Sequence, residues 1–554
     1  MNKNIFLVPV FSFISIFSFS QDNSAPANNA GEIHGNMQMD AQYYNPDSSI
    51  GAPPVPEKML MNSFANINYT KGNFSAGLRY ESYLNTIQGY DSRYKLNSIP
   101  YRYAKYTVSE LEVTVGSYYE QFGSGMILRA YEEKGLGIDN AFDGLRLKYT
   151  SHGFYLKGLI GTQRNYGTQG PGIVRGFDGE VHLSELFPKW NEAPTQIVLG
   201  GSFVSKYQSG DEITLASGQP LKVPLNVGAS AGRISVSRKK INFMGEYAYK
   251  INDPSARNGY IYKPGEALLL IATYSQKGFG LSLGAKRVDN FTFKSDRKAG
   301  RSDLDINYIP MLTKQNTYSL LAFYPYATQP TGEIGFQADL QKKLKKETLL
   351  GGKYGTDISI NYSRANGLDT TILNSADDSS RLGYQVNYFG MGDTYFQEIN
   401  FEVTHKFSHK FKLMLIYANQ IYNKSVIQGD PGIPTIYSHI GMAELSYKIS
   451  DERSIRMEMQ HLYTTQDQKS WAMCLVEAGL NENFLVSAQD QYNYGNDNSN
   501  ERFHYYNVSV VYIKSATRIS LGYGKQRSGI FCVGGVCRYV PASNGILLSV
   551  TSSF

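Results

Sequence analysis

The sequence predicts an all-β fold: a large antiparallel transmembrane up-and-down β-barrel of about 26 strands, with 24 inside the counting error. Three observations carry that prediction. Segments of about ten residues alternate apolar and polar side chains, the length and period of a tilted membrane strand. Very short and long connections take turns between them. The last segment runs to an aromatic terminus, Phe554. A barrel with short periplasmic turns and long extracellular loops has these marks.

The beginning of the chain reads differently. Lys3 supplies a positive charge, Ile5 to Phe19 is apolar apart from small residues, and Ser18 and Ser20 suit cleavage before Gln21. This is the pattern of a secretory signal peptide over residues 1–20, because the apolar run is short for a spanning helix. No cysteine lies near the cleavage point, so a lipoprotein anchor is not expected. Residues 21–32 are then a short periplasmic segment, and 33–554 a single barrel domain. Beyond residue 20 no run of eighteen apolar residues occurs, and mean hydropathy is −0.34. A barrel tolerates that value, since only every second residue faces lipid.

Composition agrees. The 43 Tyr and 28 Phe suit strands and two interfacial girdles, and the 53 Gly suit turns and close strand contacts. A formal charge of +6 with no long basic run gives no reason to expect nucleic acid. The expected location is the outer membrane of a Gram-negative cell, against lipid and a lipopolysaccharide-type outer leaflet.

Along the chain, candidate strands begin near residues 33, 61, 73, 101, 111, 141, 153, 173, 194, 226, 241, 267 and 278. They continue near 303, 317, 331, 354, 395, 410, 437, 453, 470, 483, 504, 516 and 543. Ile399, Phe401 and Val403 oppose Asn400, Glu402 and Thr404. Ile455, Met457 and Met459 oppose Arg456, Glu458 and Gln460. Ile358 and Ile360 oppose Asp357, Ser359 and Asn361, and Tyr506, Val508, Val510 and Tyr512 repeat the pattern. A soluble sandwich alternates too, with its apolar face turned inward, so alternation alone leaves both open.

Connections discriminate better. Short ones include Thr70-Lys71-Gly72, Ser109-Glu110, Arg238-Lys239-Lys240 and Lys514-Ser515-Ala516. Long ones are expected near 45–60, 85–100, 121–140, 207–225, 252–266, 365–394, 421–436 and 525–542. The residues from Phe187 to Pro194 break the trend on the short side. The last strand places Ile546, Leu548, Val550 and Phe554 on one face, which resembles the terminal signal read by the barrel-assembly machinery. No segment reads as a separate soluble domain or a dedicated plug domain.

The richest stretch chemically runs from Phe122 to Lys148. It carries Arg129, Glu132, Glu133, Lys134, Asp139, Asp143, Arg146 and Lys148 in a connection too polar for lipid contact. Gly172 to Glu180 adds Arg175, Asp178 and Glu180. One reading folds 121–140 into the lumen as a constriction, with Arg129, Glu132, Glu133, Asp139, Arg146, Arg175, Asp178 and Glu180 lining the pore and selecting solutes. The other has these charges pair to stabilise a polar interior. A plugging loop needs both.

Cys532 and Cys537 flank the turn sequence Val-Gly-Gly-Val, so a local disulfide is plausible in an oxidising compartment, with two free thiols as the alternative. Cys474 is unpaired. His405 and His409 have helical metal spacing, but four residues along a strand span roughly 13 Å, too far for one ion. The carboxamide-rich loop from Asp490 to Asn500 lacks the spacing of a calcium loop, and Asp377-Asp378 carries no motif. His461 and Glu458 lie on opposite strand faces, so no catalytic set is expected, and neither is a metal or cofactor. The KKLKKE run at 342–347 reads as a solvated turn near anionic headgroups.

Phe122 to Tyr149, Gly172 to Glu180, the stretch LLGGKYGT at 349–356, and the end from Gly524 through Cys532 to Phe554 resemble a domain-of-unknown-function family of outer-membrane barrels from Bacteroidota. The resemblance implies the fold and host, and no catalytic residues; a partner protein is expected by analogy. The leading functional expectation is a channel or transport-related pore constricted by its own loops, because 16–18 strands already leave an aqueous channel. The alternative is a non-conducting accessory subunit of a transport, secretion or assembly complex.

Overall fold

The computed structural model describes residues 31–210, 213–214, 218, 220–373 and 381–554. The signal peptide, most of the 21–32 segment and Asp377-Asp378 lie outside the described residues. The chain forms one closed antiparallel sheet of 24 strands. Each strand pairs with its sequence neighbours, and Glu32–Tyr44 pairs both with Met59–Lys71 and with Ser543–Ser553. The Gly35 and Phe554 peptides exchange hydrogen bonds of 2.9 and 3.0 Å at that seam. Full closure leaves no sheet edge unpaired, which a bilayer demands.

The side-chain period decides between barrel and sandwich. Ile399 and Phe401 are 45% and 42% exposed, whereas Glu398 and Asn400 are fully buried. Val508 and Leu521 face outward in the same way, and the inward Ser549 hydroxyl donates to Asp40 at 2.7 Å. The apolar face therefore points away from the interior, the inverse of a soluble sandwich. Outward aromatics collect at two levels. Tyr106, Tyr149, Tyr447 and Phe484 sit near the short turns, and Tyr43, Tyr249, Tyr437 and Tyr463 near the long loops. These are the two interfacial girdles of a membrane barrel. Among the described residues no helix is long and apolar enough to cross a membrane.

This assignment has a direct stability test. Val508 lies mid-strand on the outward face of His504–Lys514. Val508→Arg should lower stability by about 2–4 kcal/mol relative to Val508→Ala, as a cation does at the bilayer midplane. Urea unfolding in lipid vesicles measures it, and equal stability of the two variants would contradict the lipid-facing placement.

Connections alternate as expected, with two-residue turns such as Ser109-Glu110 and Lys239-Lys240 at one end. Phe187 to Pro194 falls in the longer link that holds the short helix Leu183–Leu186. Two expectations fail. The segment 365–394 is not a loop, because Thr356–Ile372 and Tyr384–Lys406 continue as paired strands. The neighbouring pairings stop at Asn366 and Phe396, so this hairpin projects past the barrel rim. The segments beginning near 303 and 317 are not strands either. They belong to one irregular connection, residues 290–331, between Phe279–Asp289 and Gly332–Leu344. Their apolar residues imitate a strand, but Pro310, Pro325 and Pro330 withhold ladder donors, and burial on all sides replaces lipid contact. Removing these two segments turns 26 into 24.

Candidate functional site: the filled lumen

Residues 290–331 cross the inside of the barrel. Phe291, Phe293, Ile306 and Leu320 are fully buried, and Ile309, Leu312, Leu321 and Tyr324 nearly so. They split between two apolar cores. In the first, Phe122, Met126, Ile127 and Leu128 of the 119–141 connection join Phe291, Phe293 and Ile306 against small inward residues such as Val227, Ala229, Ala248 and Ala267. In the second, Leu320, Leu321, Phe323 and Tyr324 pack on Ala418, Ile440, Leu462 and Trp471. Glycine makes the first possible at close range: a Cβ on Gly176 would lie 2.7 Å from the Phe122 ring, and one on Gly172 2.0 Å from the Ser295 carbonyl oxygen.

Polar contacts fix the crossing segment to the wall. Lys314 Nζ donates to Asn400 at 2.8 Å, Asn316 to Glu398 at 2.9 Å, and the Tyr318 hydroxyl to Glu444 at 3.0 Å. Lys286 Nζ donates to the Pro310 carbonyl at 2.6 Å and pairs with buried Glu333 at 2.5 Å. The two inward segments also hold each other, since the Arg129 amide donates to the Ile306 carbonyl at 2.8 Å.

The charges singled out in the sequence divide among several clusters. Arg79 forks onto Glu132 at 2.8 and 3.0 Å and reaches Asp139 at 3.0 Å. Arg164 bridges Asp139 at 2.6 Å and Glu81 at 2.5 Å. Glu132, on the inward connection, feels burial first, which raises its carboxyl, and the Arg79 charge second, which lowers it; the net direction is up. Arg129 stacks between Tyr131 and Tyr308 at 4.7 and 4.1 Å. Glu133 accepts from the Gly135 amide at 3.1 Å. Arg146 pairs with Glu112 at 2.7 Å and lies 3.6 Å from Glu120. Asp178 and Glu180 both pair with Arg233, at 2.7 and 2.9 Å.

Arg175 is the correction among the expected pore-lining residues. It shares its strand face with outward Phe177, is exposed, and has the Tyr207 ring at 6.0 Å. A period of two places Asp178 and Glu180 inside and Arg175 outside. The partners that sequence reading missed are Arg79, Glu81, Arg164, Arg233 and Glu246. Arg164 sits at the end of Phe154–Asn165, out of phase with inward Leu159 and Gln163, whereas the other four occupy inward strand positions, and Glu246 accepts from the Ser124 amide at 2.8 Å. Alternation could have found those four, since Arg79 and Glu81 interleave with Leu78 and Tyr80.

Metal-like groupings do not form among the described residues. His405 bonds Thr356 at 2.7 Å, while His409 meets the Tyr354 ring edge-on. His461 faces outward to Tyr494 at 2.6 Å, away from buried Glu458.

Over the crossing segment sits a hairpin, Gly529–Val533 with Val536–Val540, bonded through Cys532 and Cys537; Cys474 is free. Its turn accepts from the Tyr308 hydroxyl at 2.6 Å and the Thr328 amide at 2.9 Å. Arg538 donates to the Gly135 carbonyl at 2.7 Å, so the hairpin ties both inward segments together. Replacing both cysteines by serine should loosen this clasp. Limited proteolysis should then cut within 300–310 at least several-fold faster, and an unchanged rate would show that the clasp does not depend on the disulfide.

Known proteins add context. The P pilus usher PapC translocation pore is 9% identical, with 94% of this chain and 99% of that one covered and a TM-score of 0.42. The siderophore receptor PirA from Pseudomonas aeruginosa is 11% identical over 95% and 81% of the two chains, with a TM-score of 0.38. OccAB3 from Acinetobacter baumannii is 8% identical over 94% and 99%, with a TM-score of 0.34. No curated protein matches the sequence. The profile of a family of unknown function, DUF6029, matches residues 1–554, and the chain belongs to that family.

Proposed function

We propose that the protein is an outer-membrane channel that conducts solutes when its own inward segments shift, and that it is not an enzyme. The observation that carries this reading is the filling of the lumen. A 24-strand bore exceeds that of open channels with 16–18 strands, and here residues 290–331 and 119–141 fill it. They are anchored to the wall by two apolar cores and by ion pairs and hydrogen bonds that can break and reform. Arg129, Glu132, Glu133, Asp139 and Arg146, together with Asp178 and Glu180, would set the charge along the path once the segments move. The chain would be exported by a cleaved signal in a Gram-negative host of the Bacteroidota kind. Phe554 would be read by the assembly machinery, and the outer face would meet lipopolysaccharide-type lipid.

A second reading, an accessory subunit with a protein partner, draws on the projecting hairpin. Ile372 and Phe389 there are 83% and 89% exposed. Planar-bilayer recording of the full chain, and of a form with residues 292–329 replaced by a short linker, separates the two. Silence of both forms overturns the channel.

A further inference from the structure

The lumen is not completely filled. Beneath the disulfide-bonded hairpin, in its extracellular half, is a cavity of about 620 Å³, within the range of small-molecule sites. Its wall combines strand residues Gln42, Gln420, Gln491 and Asn507 with Tyr324 of the crossing segment and with Arg527.

Among the described residues, Arg527 has no carboxylate partner. Its guanidinium stacks on Phe323 at 3.9 Å and donates to the Ser528 carbonyl at 3.2 Å. Asp467, the acid that influences it, is already engaged by Lys424 at 3.0 Å and by the Tyr324 hydroxyl at 3.2 Å. Asp47, nearby on the rim, is taken by Lys525 at 2.8 Å. Burial without a counter-charge draws Arg527 down to about 10. Such a group favours an incoming anion.

The Arg527 donors therefore call for a negative acceptor.

We propose that this cavity binds a small organic acid, with its carboxylate on Arg527. The proposal rests on the channel reading, for which this is a substrate station in the lumen. Phe323 and Tyr324 add apolar surface for the carbon frame.

Calorimetry on the detergent-solubilised full chain tests it with three probes: galacturonate, gluconate and neutral galactose. At least one acid should bind, roughly tenfold or more tighter than galactose. Arg527→Gln should remove that preference. Heat-modifiable mobility on gels checks that each variant barrel is folded. Binding of neither acid, equal binding of acid and galactose, or an unchanged preference in Arg527→Gln overturns the proposal. Conductance without binding overturns this site alone, whereas binding without conductance overturns the pore and leaves the site.

Discussion

Replacing residues 292–329 by a short Gly-Ser linker raises single-channel conductance on the order of tenfold over the intact protein, since an emptied barrel of this strand number is wider than an open porin. The graft is local. The Asn290 amide donates to the Thr331 carbonyl at 3.0 Å and the Phe291 amide to the Pro330 carbonyl at 2.9 Å, so the feet of the segment already form a closed step where a linker can join. What leaves are Phe293, Ile306 and Leu312 of one core and Leu320 to Tyr326 of the other. The strands keep all of their ladder bonds. Where the parent conducts, a folded variant that conducts no more would show that residues 119–141 suffice to block the lumen, and would refute the assignment of the block to 290–331.

The second large effect is expected at Arg79. It is the shared cation of Glu132 and Asp139 and stands 3.6 Å from Glu81, and the Arg79, Asp139 and Glu81 side chains are all under 10% exposed. Arg79→Ala leaves Glu81 and Asp139 sharing Arg164, and Glu132 with only Lys134 at 3.9 Å. Removing one partner from a buried charge cluster costs about 3–5 kcal/mol, because the remaining charges are desolvated and unpaired. Urea unfolding in vesicles measures that loss. Adding Glu132→Gln to Arg79→Ala should recover part of it, by removing one of the stranded charges. A loss below about 1 kcal/mol would mean that water reaches the cluster freely.

The barrel was legible because its rule is local. Ile399, Phe401 and Val403 against Asn400 and Glu402 announce a strand with two environments, and the turns between strands announce the order of pairing. The lumen was legible only in part. Residues 121–140 stood out because their charges exclude lipid. Residues 290–331 did not, because a segment buried by its own barrel carries apolar runs such as Leu320 to Tyr326, which look like membrane strands from sequence alone. The ion partners were hidden for another reason. Arg79 and Arg164 belong to strands far apart in sequence, and only closure of the barrel brings both onto Asp139. Arg175 misled because charge was weighed there without regard to parity.

The crossing segment is held at both ends between adjacent strands, Phe279–Asp289 and Gly332–Leu344. Unlike a module hung from one end of a chain, it stays tethered to one rim of the cylinder at both ends. That has a bearing on biogenesis. The ring shuts when Ser543–Ser553, the last strand made, meets Glu32–Tyr44, the first. The forty or so residues of the crossing segment either lie inside when the seam zips, which makes the final step of assembly an enclosure, or enter afterwards through the mouth where both feet stand.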